Sequence, residues 1–210
     1  MSRDPMVDKS KKMSWLLRHG APSQGLTMDE AGWVEIGDVL RALRLSRADL
    51  DAVVRDNTKS RFEVAGSRIR ATQGHSTASG AVSLDGLEAS WEAYEGPGPL
   101  WHGTNTSAVV GIAREGIRPI ARTHVHLAAS TDSHVGKRAN VAVLLEVSAP
   151  RLRSEGIATF RSPNGVILAR WVPPACIVGL VALTREGRSH EDALRASLGL
   201  VAGAAGVSTP

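Results

Sequence analysis

Apolar side chains first fall at helical spacing in the stretch that opens at Ser10, where Met13, Leu16 and Leu17 share a face and Gly20 with Pro22 ends the run. A second helix is predicted from Ile36, Val39, Leu40 and Leu43. A third starts at a capping serine, Ser46, with Leu50, Val53 and Val54 on its inner stripe. The period then changes to two. Phe62 and Val64 alternate with polar residues, Ala65-Gly66-Ser67 interrupts, and Ile69 resumes the alternation, which predicts a short hairpin. Further along, strands are predicted at Leu100-Trp101-His102, Val125 to Ala128, Val141 to Val147, Gly156 to Phe160 and Val166 to Trp171. One helix lies among them, from Ser107 to Arg114, and Gly116 stops it.

These patterns predict an α+β chain of two lobes. Three helices closed by a hairpin make residues 1–90 a winged-helix lobe, and the strand-rich lobe runs over 91–185. Between them, residues 76–99 are rich in Ser, Gly, Ala and Glu and end in Gly-Pro-Gly-Pro, the composition of a crossing segment. A tail over 186–210 holds one predicted helix, His190–Leu198, and then VAGAAGVSTP, which has too few large apolar groups to pack and is expected to be partly disordered. A length of 210 residues suits two lobes, being enough for a real core but more than one usual compact unit.

Composition narrows the chemistry. A formal charge of +4 fits a partner that carries phosphates, although such an excess is also common on solvated surfaces. A single cysteine, Cys176, excludes an intrachain disulfide framework and any zinc site built on clustered cysteines. No apolar run reaches the ~18 residues of a membrane span, and the polar opening MSRDPMVDKSKK lacks a signal-peptide core. A soluble, cytoplasmic monomer without membrane contact is the expectation.

Candidate chemistry lies at the edges of the predicted elements. Arg18 and His19 end the first helix in WLLRHG, Arg70 sits in RIRATQGHS, and Arg138 in VGKRANV. Arginine's planar fork can grip two phosphate oxygens at once, so the three arginines are candidates for holding a phosphate. The plainer alternative is that Arg18 and His19 complement a helix C-terminus and that each arginine covers its own lobe's surface. His102-Gly103-Thr104 follows a predicted strand, where glycine permits close backbone approach and the flanking side chains can bond a ribose or an amide. Strand spacing puts His124 and His126 on one face, with His134 nearby, yet no cysteine or close carboxylate completes a metal site, and none is expected. The chain has no Walker loop, no Gly-x-Gly-x-x-Gly fingerprint and no Gly-x-Ser-x-Gly elbow.

The order and spacing of LLRHG, GWVEIGDVL, RFEVAGSRIRATQGHS, LWHGT, THVHLAAS, VGKRANVAVLLEV and FRSPNGVILARWVPP resemble the RNA 2′-phosphotransferase family, known as KptA in bacteria and archaea. The resemblance runs from about Ser10 to Leu180. It implies a winged-helix lobe joined to an ADP-ribosyltransferase-like lobe, with the active site in the cleft between them. It also implies an enzyme that removes an internal RNA 2′-phosphate, the mark some tRNA ligases leave at a splice junction, by handing it to NAD⁺ as co-substrate. RNA 2′-OH, nicotinamide and ADP-ribose 1″,2″-cyclic phosphate are the implied products. The family's Arg-His-Arg-Arg set falls on Arg18, His19, Arg70 and Arg138, and its NAD-facing motifs fall on His102, Gly103, Thr104, His126 and Ser130. The chain departs from the family in the hairpin approach, where Lys59-Ser60-Arg61-Phe62 keeps one of two usual basic residues, and in FRSPNGVILARWVPP, where Arg161 and Ile167 replace aromatics.

Two rival functions stay open on the sequence. An ADP-ribosyltransferase acting on terminal phosphates of RNA or DNA would share the first chemical step and leave its product modified. A non-enzymatic winged-helix regulator would read DNA with its third helix. That helix, Ser46 to Asp56, is too acidic to welcome a duplex backbone, presenting Asp49, Asp51 and Asp56 against Arg47 and Arg55.

Overall fold

The computed structural model describes residues 5–77, 80–132 and 141–200. The chain is α+β, as its patterning predicts, and divides into two compact units. One holds the residues up to Ala93 together with Pro119–His124 and Phe160–Val166, and the other holds Tyr94–Arg118, Val125–Thr159 and the chain from Ile167 onward. No described helix is long and apolar enough to cross a membrane.

In the first unit, α1 (Pro5–Trp15) begins five residues before Ser10 and passes directly into a π-helical turn, Leu16–Gly20. Met13, Leu16 and Leu17 are buried, so the apolar stripe that predicts the helix is the face it packs. A two-residue strand, β1 (Val34–Glu35), precedes α2 (Ile36–Leu43). Ser46 caps α3 (Arg47–Arg55) in a full capping box, its hydroxyl accepting from the Asp49 amide while the Asp49 carboxylate accepts from the Ser46 amide. The predicted hairpin is β2 (Phe62–Ala65) and β3 (Arg68–Ala71), turning at Gly66 with φ of 59°. β1 adds to β3 through Val34↔Ile69, giving an antiparallel sheet ordered β1-β3-β2. Ile69, Leu50, Val39 and Leu17 meet in the core of this unit. The crossing segment is not structureless. Ser83 accepts from the Gly86 amide and starts α4 (Leu84–Ala89), after which β4 (Glu92–Ala93) follows.

The second unit is built on an antiparallel sheet with β7 at its centre. β5 (Leu100–Thr104) lies on one side of β7 (Val143–Val147), while β6 (Val125–Leu127) belongs to a different sheet; α5 (Val109–Glu115) follows β5, and α6 (Ala149–Ser154) follows β7. β8 (Thr159–Arg161) pairs with β4 through Ala93↔Phe160, while β9 (Ile167–Ala169) pairs with β6. β10 (Ile177–Ala182), which the Pro173-Pro174 stop conceals in the sequence, pairs with β7. β7 reads as an unbroken apolar run because Val143, Leu144, Leu145 and Val147 are all buried. The segment assigned to a separate tail supplies α7 (Arg185–Ser189) and α8 (Glu191–Ser197), and Leu194, Leu198 and Leu200 join the second core. This unit therefore reaches at least to Leu200: Leu194 and Leu198, four residues apart, fall on one side of α8 and its cap, and Leu200 follows them into the core. Residues 201–210, on which the expectation of disorder rests, lie outside the described residues.

Candidate functional site

The first unit gathers a knot of cations. Arg18 and His19 sit on the π-helical turn, whose closing bond runs from the Ala21 amide to the Leu16 carbonyl, five residues back, at 2.9 Å. Such a turn is frequent at functional sites because it adds a residue to the helix and re-aims the side chains after it. Gly20 lets the Trp15 ring lie against the turn, since a Cβ at that position would lie 2.5 Å from the ring where it now sits. The Ser76 amide donates to the Arg18 carbonyl at 2.9 Å, and the Thr123 amide to the His75 carbonyl at 3.1 Å, tying three separated segments together.

Charge in this knot is crowded. Arg18 has its pKa lowered to about 10, first by burial and then by repulsion from Arg122 and Arg61. His19 is pushed below the ordinary imidazole value by partial desolvation, then by Arg18 and Arg122. His75 is only 1% exposed, and its pKa falls to about 3, through burial first and then the charges of Arg18, Arg70, His19 and His124. It is a neutral imidazole. Among the described residues neither of its ring nitrogens has a hydrogen-bond partner. Gly32, at φ of 86°, gives the ring room, because a Cβ there would meet Nε2 at 2.5 Å.

Arg70 is built differently. It is 3% exposed, and its Nε–H and Nη2 meet Glu63 Oε2 at 2.7 Å, while Nη1 donates to Ser90 Oγ at 2.6 Å and to the Ala31 carbonyl at 3.3 Å. A second Nη2 bond reaches the Ser90 carbonyl at 3.4 Å, and the guanidinium lies 4.6 Å from the centre of the Trp33 ring. Every N–H of the fork is engaged within the protein. His124 is likewise buried, bonded to Glu88 Oε1 at 3.0 Å and Thr123 Oγ1 at 3.0 Å, with its ring edge on Trp91. It thus has a close carboxylate after all, from a residue 36 positions earlier.

In the second unit, paired amide bonds between Trp101 and Ala128, at 2.8 and 2.9 Å, place the end of β5 beside β6. This brings His102 and His126 together, and His102 Nδ1–H donates to the His126 carbonyl at 3.1 Å. Since a carbonyl only accepts, that bond fixes the tautomer and leaves the lone pair of the neutral ring on Nε2. Gly103 is required by packing, as a Cβ would come within 2.8 Å of Val141 Cγ2. Thr104 closes the strand opposite Val143, and Ser130 lies just past β6, its hydroxyl accepting from the Asp132 amide at 3.2 Å. These residues offer hydroxyl and imidazole groups with no carboxylate among them. That set can bond hydroxyl and amide groups of a ligand. Arg138 and His134 lie outside the described residues.

Arg61, His75 and Arg122 are absent from the sequence-based candidates. A histidine after a glycine in RATQGHS carries no periodic signal, and only the fold reveals that Arg122 and Arg61 approach Arg18.

The comparisons with known proteins agree with this picture. The model of the family described as RNA 2′-phosphotransferase, Tpt1 / KptA family, matches residues 4–170. A probable RNA 2′-phosphotransferase of Rhizobium johnstonii is 39% identical over 174 residues, covering 80% of this chain and 90% of that one. One from Streptomyces griseus subsp. griseus is 42% identical over 184 residues, covering 80% and 93%, and one from Pseudomonas fluorescens is 35% identical over 189 residues, covering 86% and 100%. An α+β protein with clustered arginines and histidines is thereby placed among the transferases. The chain belongs to the RNA 2′-phosphotransferase family.

Proposed function

We propose that the protein is an NAD⁺-dependent RNA 2′-phosphotransferase, in which a winged-helix lobe handles RNA and an ADP-ribosyltransferase-like lobe holds NAD⁺. The observation that carries this reading is the cation knot around Arg18 and His19 in a chain of this family. NAD⁺ is consumed as co-substrate and supplies an activated anomeric carbon. In the first step a 2′-phosphate oxygen of the RNA bonds to that carbon and the bond to nicotinamide breaks. The nucleophile is already an anion, so no general base is needed, and the residues' task is alignment. His102, Thr104 and Ser130 orient the ribose, and Gly103 and His126 support them. In the second step the neighbouring ribose hydroxyl attacks phosphorus in the 2′-phospho-ADP-ribosylated RNA. The bond to the RNA 2′-oxygen breaks, that oxygen gains a proton, and a cyclic phosphate leaves.

Charge then builds on phosphoryl oxygens, and Arg18 and Arg138 stabilise it. Arg70 contributes from beneath as a fixed buried charge, since its donors are held by Glu63, Ser90 and Ala31. His19, whose basicity is lowered by burial and then by Arg18 and Arg122, gains basicity when a phosphate dianion enters, and so becomes a proton carrier for the departing RNA oxygen. Arg138→Ala slows the second step more than the first, so ADP-ribosylated RNA accumulates on a gel; equal slowing without that species contradicts the assignment. The primary test incubates an RNA bearing one internal 2′-phosphate, with and without NAD⁺, in chelator. NAD⁺-dependent loss of the phosphate with release of the cyclic product supports the reading. RNA that gains ADP-ribose and stops there, or reaction at terminal phosphates only, selects the ADP-ribosyltransferase rival.

A further inference from the structure

The first unit contains a groove of about 590 Å³ whose lining, apart from Arg18, has no part in the reaction above. One wall is a single face of α1 and its continuation, with Met6, Ser10, Ser14 and Arg18 four residues apart; the other is the turn after α3, from Asp56 to Arg61. Three polar groups on these walls are buried and lack a hydrogen-bond partner among the described residues: Ser14 Oγ, Arg18 Nε and Asn57 Nδ2. Buried donors without partners are uncommon in native proteins, and three on one groove point to an absent acceptor-rich ligand.

The Asn57 amide is fixed in orientation. Its Oδ1 accepts from the Lys59 amide at 3.2 Å and from Arg61 Nη1 at 3.1 Å, so Nδ2 is the donor left over. Lys11, Arg18 and Arg61 bring three cations, and the carboxylate of the groove, Asp56, is paired with Arg55 at 3.0 Å. Met6, Val7 and Val53 add apolar surface. The volume exceeds what a free phosphate fills and lies within the range of sites for ligands of nucleotide size.

We propose that this groove is a strand-holding subsite that takes one nucleotide of single-stranded RNA, with its phosphodiester on Lys11 and Arg61, its base against Met6, Val7 and Val53, and Ser14 and Asn57 bonding its polar edge. The assignment rests on RNA being the substrate but requires neither NAD⁺ nor a 2′-phosphate. Arg18 lines one end, so a nucleotide seated here is held next to the residue assigned to the reacting phosphate.

The test is fluorescence anisotropy of the full chain with a labelled, unmodified oligoribonucleotide of about ten nucleotides, across a salt series. Asn57→Asp keeps the acceptor that orders Lys59 and Arg61 but replaces the donor with an anion, and it weakens binding by about tenfold. Lys11→Gln and Arg61→Gln each weaken binding several-fold and lower the slope of log K against log salt by about 0.7. Lys11 is exposed, so its replacement leaves folding intact, and the melting temperature of each variant is checked beside its affinity. The proposal is overturned if variants that melt like the parent bind with its affinity and slope, or if the parent does not bind the unmodified RNA. Neither result touches the phosphotransfer reading, which the NAD⁺ assay decides separately.

Discussion

The two groups of candidate residues are held in opposite ways. In the first unit burial, and after it the crowding of like charges, lowers the basicity of Arg18 and His19 and keeps His75 a neutral ring without a hydrogen-bond partner among the described residues. In the second, His102, Gly103 and Thr104 ride on a strand whose backbone is fully laddered to β7, and their side chains are placed by packing and by one carbonyl. The first arrangement is electrostatically unfavourable until an anion arrives, while the second is complete beforehand. The reaction proposed above, which joins an anionic nucleophile to a bulky co-substrate, would draw on both: a site whose charge suits a phosphate, and a rigid frame that sets geometry.

The sharpest way to break this contrast is at Arg70. Removing its side chain in Arg70→Ala strips Glu63, Ser90 and Trp33 of a shared partner and costs about 3 kcal/mol of stability, measured by denaturant unfolding. A loss of activity with unchanged stability would instead give Arg70 a direct role with substrate.

Acid comes next in size. His75 has a folded pKa of about 3 against an ordinary 6.5, so the unfolded chain binds the proton first as pH drops. Stability from this residue is intact above 6.5 and declines as pH falls from there toward 3, by about 2 kcal/mol at pH 5. His75→Phe flattens that decline in melts taken at pH 7 and pH 5, and an equally steep fall in the variant would remove His75 from the account.

The smallest effect belongs to the second unit. Gly103→Ala pushes a methyl into Val141 and costs about 1–2 kcal/mol, equally at both pH values. A pH-dependent cost at Gly103 would mean that the strand site also carries electrostatic strain, and the contrast would fail.

Most of the fold was legible because it rests on period. The stripes of the first three helices, the Ser46 cap, the hairpin around Gly66 and the apolar run of β7 each follow from local rules. What escaped rests on distant partners. β1 is two residues long and exists only because β3 pairs with it; β10 stands behind two prolines; α4 starts in a segment whose Ser and Gly content reads as linker. The same division holds at the sites. Arg18, His19 and His102 lie in compact motifs that a resemblance can carry, whereas Arg122, Arg61 and His75 act through proximity that no spacing reveals. The engagement of Arg70 by Glu63 and Ser90 is likewise a property of the fold and cannot be counted out along the chain.

The π-helical turn at Leu16–Gly20 makes the aim of Arg18 and His19 a matter of counting. A π turn is an α-helix with one residue too many, and each residue of an α-helix turns the chain by about 100°. Shortening the stretch by one leucine returns an ordinary helix with a tidier ladder of hydrogen bonds, and swings the arginine and histidine a quarter-turn or more away from the knot. The direction of this chemistry is therefore written as a length, and it is open to a deletion that leaves every functional side chain in the sequence.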